Sequence, residues 1–196
     1  MNQTSRLTRE NTDMTNKTKV IKSQAELYQV RAGGCTWGDI VLVCGKESVS
    51  VMATSDYGSF DYFWSHCGGE PKAFLCGLDF QYTMKKLTNG KLYVPDPDGY
   101  EVEIKENIIE ARKDESLTKE QARTAWDDML SHKEAYPEGD LFYQGLVEHN
   151  LFEQVFGDYE NLPSSEVECR RAVDFWKDIW TLFIAELKEE IAAKAA

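Results

Sequence analysis

The chain has 196 residues, of which 42% are hydrophobic and 12% aromatic, and its formal net charge is −12. That composition excludes general disorder and suits one domain with a core of its own, while no apolar run approaches the roughly twenty residues that a membrane-spanning helix needs. The charge is uneven: residues 1–24 carry five basic and two acidic side chains, residues 25–95 six and seven, and residues 96–196 eleven and twenty-five.

Residues 1–24 are rich in Thr, Asn and Lys without apolar periodicity, and read as a flexible tail. They lack the apolar middle of a secretion signal, so a cytoplasmic protein is expected. Cys35, Cys44, Cys67, Cys76 and Cys169 form an odd, irregularly spaced set, which fits reduced thiols better than a disulfide framework. After the tail come four short segments, Glu26 to Ala32, Asp39 to Cys44, Ser48 to Thr54 and Ser59 to Ser65, each carrying aromatic or β-branched residues and bounded by turn residues. The pattern predicts an antiparallel meander. Ile40-Val41-Leu42-Val43 is apolar on both faces and predicts a central, covered strand.

The cover is expected from Glu70 to Leu87, where Phe74, Leu75, Leu78, Tyr82 and Leu87 fall at helical spacing and Asn89-Gly90 ends the run. Lys91 to Val94 predicts a strand or extended arm, closed by a turn over residues 95–99. Beyond it the pattern is helical: Glu101 to Lys113, Thr118 to His132, Gly139 to Phe156, and Ser165 to Ala193. Thr118 with Gln121, and Ser165 with Glu168, stand at capping-box spacing.

No catalytic or metal motif is specific. His66-Cys67 beside Gly68-Gly69 brings a thiol and an imidazole together, the ingredients of a nucleophile and its base, but neighbours in a strand point to opposite faces. The closest cysteine pairs have eight residues between them, far from zinc spacing. Asp96-Pro97-Asp98-Gly99 lacks the oxygen ligands of a calcium loop, and neither Gly-Gly pair is followed by phosphate-loop residues. No metal or cofactor is expected. The aromatics Tyr57, Phe60, Tyr62, Phe63 and Trp64 suggest a stacking platform for single-stranded nucleic acid, but a basic groove to accompany them is missing.

At Tyr57-Gly58-Ser59-Phe60-x-Tyr62-x-Trp64, then Gly68-Gly69, Phe74-Leu75, Leu78-Asp79 and Tyr82-x-x-x-Lys86-Leu87, the chain resembles small accessory proteins of tailed bacteriophages and prophages. The match covers about thirty residues and carries no catalytic signature. What the resemblance implies is a setting in the bacterial host cell, where small acidic phage proteins act on host machinery such as restriction and CRISPR nucleases.

The expected architecture is α+β: an antiparallel sheet of three to five strands over residues 25–95, covered by a helix and followed by a mainly helical acidic half over 96–196, all in one domain from residue 25. The expected function is non-enzymatic. Carboxylates of Glu101, Glu103, Glu106, Glu110, Asp114, Glu115, Asp127, Asp128, Asp158 and Glu160 would stand in for nucleic-acid phosphates against a basic host protein, such as a nuclease or other defence complex, without contact to nucleic acid or membrane. Two alternatives remain: a small hydrolase or nucleotide-modifying enzyme using His66 and Cys67, and a self-assembling structural protein, for instance a homodimer, whose interface is the seam of Trp176, Trp180 and Phe183.

Overall fold

A computed structural model describes residue 20 and residues 22–137, 141–142, 144–145, 155–157 and 162–196. Most of the expected tail, and much of the helix expected from Gly139 to Phe156, lie outside the described residues. Strands β1 (Glu26–Arg31), β2 (Trp37–Cys44), β3 (Val49–Ser55) and β4 (Gly58–Trp64) form one antiparallel sheet in chain order. The β3–β4 hairpin turns on Asp56-Tyr57, with Gly58 at φ +112, a conformation that side chains rarely tolerate. Register sets Tyr28, Ile40, Ala53 and Phe60 in one row across the sheet, and Leu42, Val51 and Tyr62 in the next. Because side chains alternate along a strand, these rows share one face, and that face is buried.

The segment expected as a single helix from Glu70 to Leu87 is two helices, α1 (Pro71–Cys76) and α2 (Phe80–Leu87). The break has a local cause. Gly77 closes α1 with its N–H on Phe74 O at 3.0 Å, and the Asp79 carboxylate accepts from Tyr82 N at 2.8 Å to start α2. Leu75, Met84 and Leu87 reach the core, so the segment does help cover the sheet. The middle of the sheet, however, is covered from the other end of the chain.

That cover begins after a two-stranded clamp of β5 (Tyr93–Pro95) and β6 (Glu166–Glu168). The Ser165/Glu168 capping box therefore does not form, since residues 166–168 are extended by pairing with β5, and the helix starts at Arg170, five residues later than expected. It runs as α5 (Arg170–Phe175), a π turn (Trp176–Trp180) and α6 (Thr181–Ala195). The π turn admits an extra residue, so Ile179 and Trp180 are both fully buried, in line with Ala172, Phe175, Phe183 and Leu187. Phe175 stacks on Phe60 of β4 at 4.2 Å. Each such buried side chain contributes about 1.5–3 kcal/mol of hydrophobic stabilisation. Of the residues expected at an oligomer interface, Trp180 and Phe183 are buried inside one chain and Trp176 packs half-buried against the same core.

Between β5 and β6 the chain makes an excursion with a second apolar cluster. Helix α3 (Pro97–Lys113) starts earlier than the expected Glu101, because Pro97 occupies the first turn, where its missing N–H costs nothing, and Asp96 caps it by accepting from Asp98 N at 3.1 Å. Helix α4 (Lys119–Ala135) opens on the Thr118/Gln121 capping box, with both reciprocal bonds made, at 3.2 and 2.9 Å. Tyr100, Ile104 and Ile108 of α3 meet Ala125 and Met129 of α4 and Phe142. No helix among the described residues is long and apolar enough to cross a membrane.

Candidate functional site

Helix α3 is the element that organises the acidic half. Its buried stripe of Tyr100, Ile104 and Ile108 leaves two exposed flanks. Glu103, Glu106 and Glu110, continued by Asp114 at the C-cap, recur every three or four residues and so fall on one flank, about 16 Å long at 1.5 Å per residue. Lys105 and Arg112 fall on the other, toward α4. One helix is thus acidic along one side and basic along the other.

The ten carboxylates expected to act together have different fates. Glu101 is internal: it accepts from Lys105 and Lys133, whose hydrogen bonds hold it below the usual carboxylate range. Lys133 also reaches Asp98 at 2.5 Å, which closes a network tying α3 to α4. Glu103 accepts from Ser164 N at 3.0 Å and from the Ser165 hydroxyl, anchoring the chain just before β6. Asp114 accepts from Ser116, which lowers its pKa, and Asp127 pairs with Arg123 at 3.5 Å. Among the described residues, Glu106, Glu110, Glu115 and Asp128 carry no ion pair or hydrogen bond from another side chain. Asp158 and Glu160 lie outside the described residues.

On the opposite flank a groove of 1110 Å³ opens between α3 and α4. Ile109, Trp126 and Leu130 floor it, and Arg112, Lys113, Lys119 and Arg123 stand along it with Glu120 and Asp127. Lys105 Nζ sits 5.0 Å from the Trp126 ring centre, close enough for a cation–π contact. Counting charges in sequence does not reveal this groove, because its cations come from two helices and are outnumbered locally by acids that point elsewhere.

His66 and Cys67, on which the enzyme reading rests, lie just past the end of β4. The His66 side chain is 72% exposed, with Nδ1 3.6 Å from the Glu47 carboxylate. Burial pushes the Cys67 thiol up, away from the thiolate that nucleophilic attack requires. Among the described residues no three His, Cys, Asp or Glu side chains gather as a metal site would require.

A family model described as a phage family, Phage_phiTE_072, matches residues 18–190. The chain belongs to this phage family. The match extends the resemblance seen around Tyr57 to Leu87 over both the sheet and the acidic excursion of the phage protein. No curated protein and no solved structure matches it.

Sequence reasoning missed one further feature of this phage protein. Lys72 of α1 is 4% exposed, and its Nζ donates to Glu26 at 2.6 Å, Tyr28 Oη at 2.7 Å and Glu190 at 2.7 Å. Burial opposes the charge, but the bonds to Glu190, Glu26 and Tyr28 outweigh it and hold the ammonium above its ordinary range. Burial also pushes the Tyr28 phenol up, to about 12. The hub joins the sheet edge, α1 and α6. It is structural, and its only local signal was a lysine one residue after the Pro71 that opens a helix.

Proposed function

We propose that this phage protein acts without catalysis, as an acidic ligand that occupies and inhibits a positively charged host protein of the kind that handles nucleic acid. One observation carries the reading: Glu106 and Glu110 stand one turn apart on the acidic flank of α3 with no cation paired to them among the described residues, while Lys105 and Arg112 of the same helix face the other way. Carboxylates already paired cancel their own field. Unpaired ones on a single ridge keep theirs, and such a ridge accelerates encounter with a basic surface and disfavours acidic partners.

The test is retention of host proteins on the immobilised chain at low and at high salt, for the wild type and for the Glu106→Lys/Glu110→Lys double variant, followed by an activity assay on whatever complex is retained. The expected result is a basic complex, inhibited by the wild-type chain, whose retention falls both with salt and with charge reversal. Retention and inhibition unchanged by the double variant would overturn the reading.

A further inference from the structure

Among the described residues, the four-stranded sheet has one buried face and one on which Leu27, Met52 and Phe63 are exposed. On the exposed face, register places Leu27, Val41 and Met52 side by side across β1, β2 and β3, with Val43 of β2 and Phe63 of β4 one row further on. Leu27 is 58% exposed, Met52 45% and Phe63 59%, and Val41 and Val43 are half-buried. An antiparallel sheet with one wet face ordinarily alternates apolar and polar residues, and β2 breaks that rule by being apolar on both sides. Leu27, Val41, Val43 and Met52 thus form one apolar patch, with Phe63 set off from it by Ser50 and a polar row of Gln29, Asp39, Thr54 and Ser59 beside it, and exposed apolar patches rimmed by polar residues are where partners dock.

We propose that this face is the interface of a twofold homodimer, in which the open sheets of two chains stack as an intermolecular sandwich. Three observations select a second copy as the occupant. The first is charge. In a chain of net charge −12 this face carries only Arg31, Asp39 and Asp61, and Arg31 already pairs with Asp39 at 2.7 Å, so two copies meet here without opposing strong fields. The second is shape: two identical twisted sheets pack face to face at about 10 Å and about −30°, and a twofold axis brings the same apolar row onto itself. The third is area. Four strands about 4.8 Å apart and seven residues long at about 3.4 Å span roughly 450 Å² in plane, below the usual value of about 800 Å² per partner, and side-chain relief brings the face toward the roughly 600 Å² per partner of small, transient interfaces. An interface of that size suits a weak, reversible dimer.

Sedimentation velocity on the full chain from ~1 to ~500 µM tests this. The wild type is expected to shift from a 22.4 kDa species toward twice that mass as concentration rises, and Met52→Glu is expected to stay monomeric with an unchanged circular dichroism spectrum. Leu27→Glu, on the edge strand, serves as the second variant should Met52→Glu fail to fold. Glu106→Lys, away from this face, should dimerise like the wild type, which separates this outcome from that of the ridge experiment. A wild type that remains monomeric throughout overturns the proposal and leaves the face to another occupant. So does a dimer that both glutamate variants leave intact.

Discussion

Gly38 of β2 lies directly beneath Ile179 of the π turn: a Cβ on Gly38 would come within 2.7 Å of Ile179 Cγ2. The C-terminal helix can approach the sheet this closely only because the strand offers no side chain at that point. Gly38→Val is therefore expected to destabilise the chain by about 1–3 kcal/mol through overpacking, read as a lowered urea midpoint. Ile179→Ala alone should cost about 2–5 kcal/mol, and in the double variant the two effects should fall well short of additive. Additive costs would show that the two residues do not press on each other.

Removing the Lys72 ammonium leaves Glu26 and Glu190 facing each other without a shared cation. Glu190 is 28% and Glu26 52% exposed, so water relieves part of the repulsion, and Lys72→Met is expected to cost about 2 kcal/mol rather than the larger penalty of a sealed ion pair. Chemical denaturation measures it. Stability equal to the wild type would mean that the cluster adds nothing net.

Acid should weaken the fold through two identified carboxylates. Glu26, hydrogen-bonded by Lys72, and Glu101, hydrogen-bonded by Lys105 and Lys133, both have pKa values below the ordinary 4.5. The unfolded chain therefore takes up their protons at higher pH than the folded one. Their contribution is complete above about pH 4.5 and is lost as pH falls below it toward the folded values. Stability measured from neutral to acid pH should decline in that window, and Glu101→Gln should flatten the decline. A decline as steep in Glu101→Gln and Glu26→Gln as in the wild type would assign acid sensitivity to other groups.

The Thr118 capping box stabilises the start of α4, where the Thr118 hydroxyl accepts from the Gln121 N–H. Thr118→Ala should cost about 1 kcal/mol and Thr118→Ser much less. Amide hydrogen exchange in the first turn of α4 offers a local reading: protection there should drop in the alanine variant while that of β2 and β3 holds.

The parts of this protein legible in its residues are those decided within a few positions of one another. The β3 alternation, with Val49, Val51, Ala53 and Ser55 buried and the residues between them more exposed, follows from the two-residue period of a strand, and the Thr118/Gln121 cap from three-residue spacing. The break between α1 and α2 was readable in the same way, from Gly77 and the Asp79 cap, but the apolar periodicity running through it masked it. The seam of the last helix shows the limit of periodicity. A uniform 3.6-residue period puts Val173 and Trp176 on the seam, whereas the π turn fills the buried line with Ala172, Phe175 and Ile179.

Tertiary structure alone decided the rest, because it depends on contacts between distant segments. The sequence determines that residues 96–196 carry a surplus of acid; only folding determines that Glu101 is neutralised by Lys133 from another helix while Glu106 and Glu110 have no ion pair among the described residues. The sequence equally determines that Ile40, Val41, Leu42 and Val43 are all apolar. Which pair is covered depended on a helix arriving from residues 170–195, since alternation tells two faces apart but cannot say which of them a distant segment will bury.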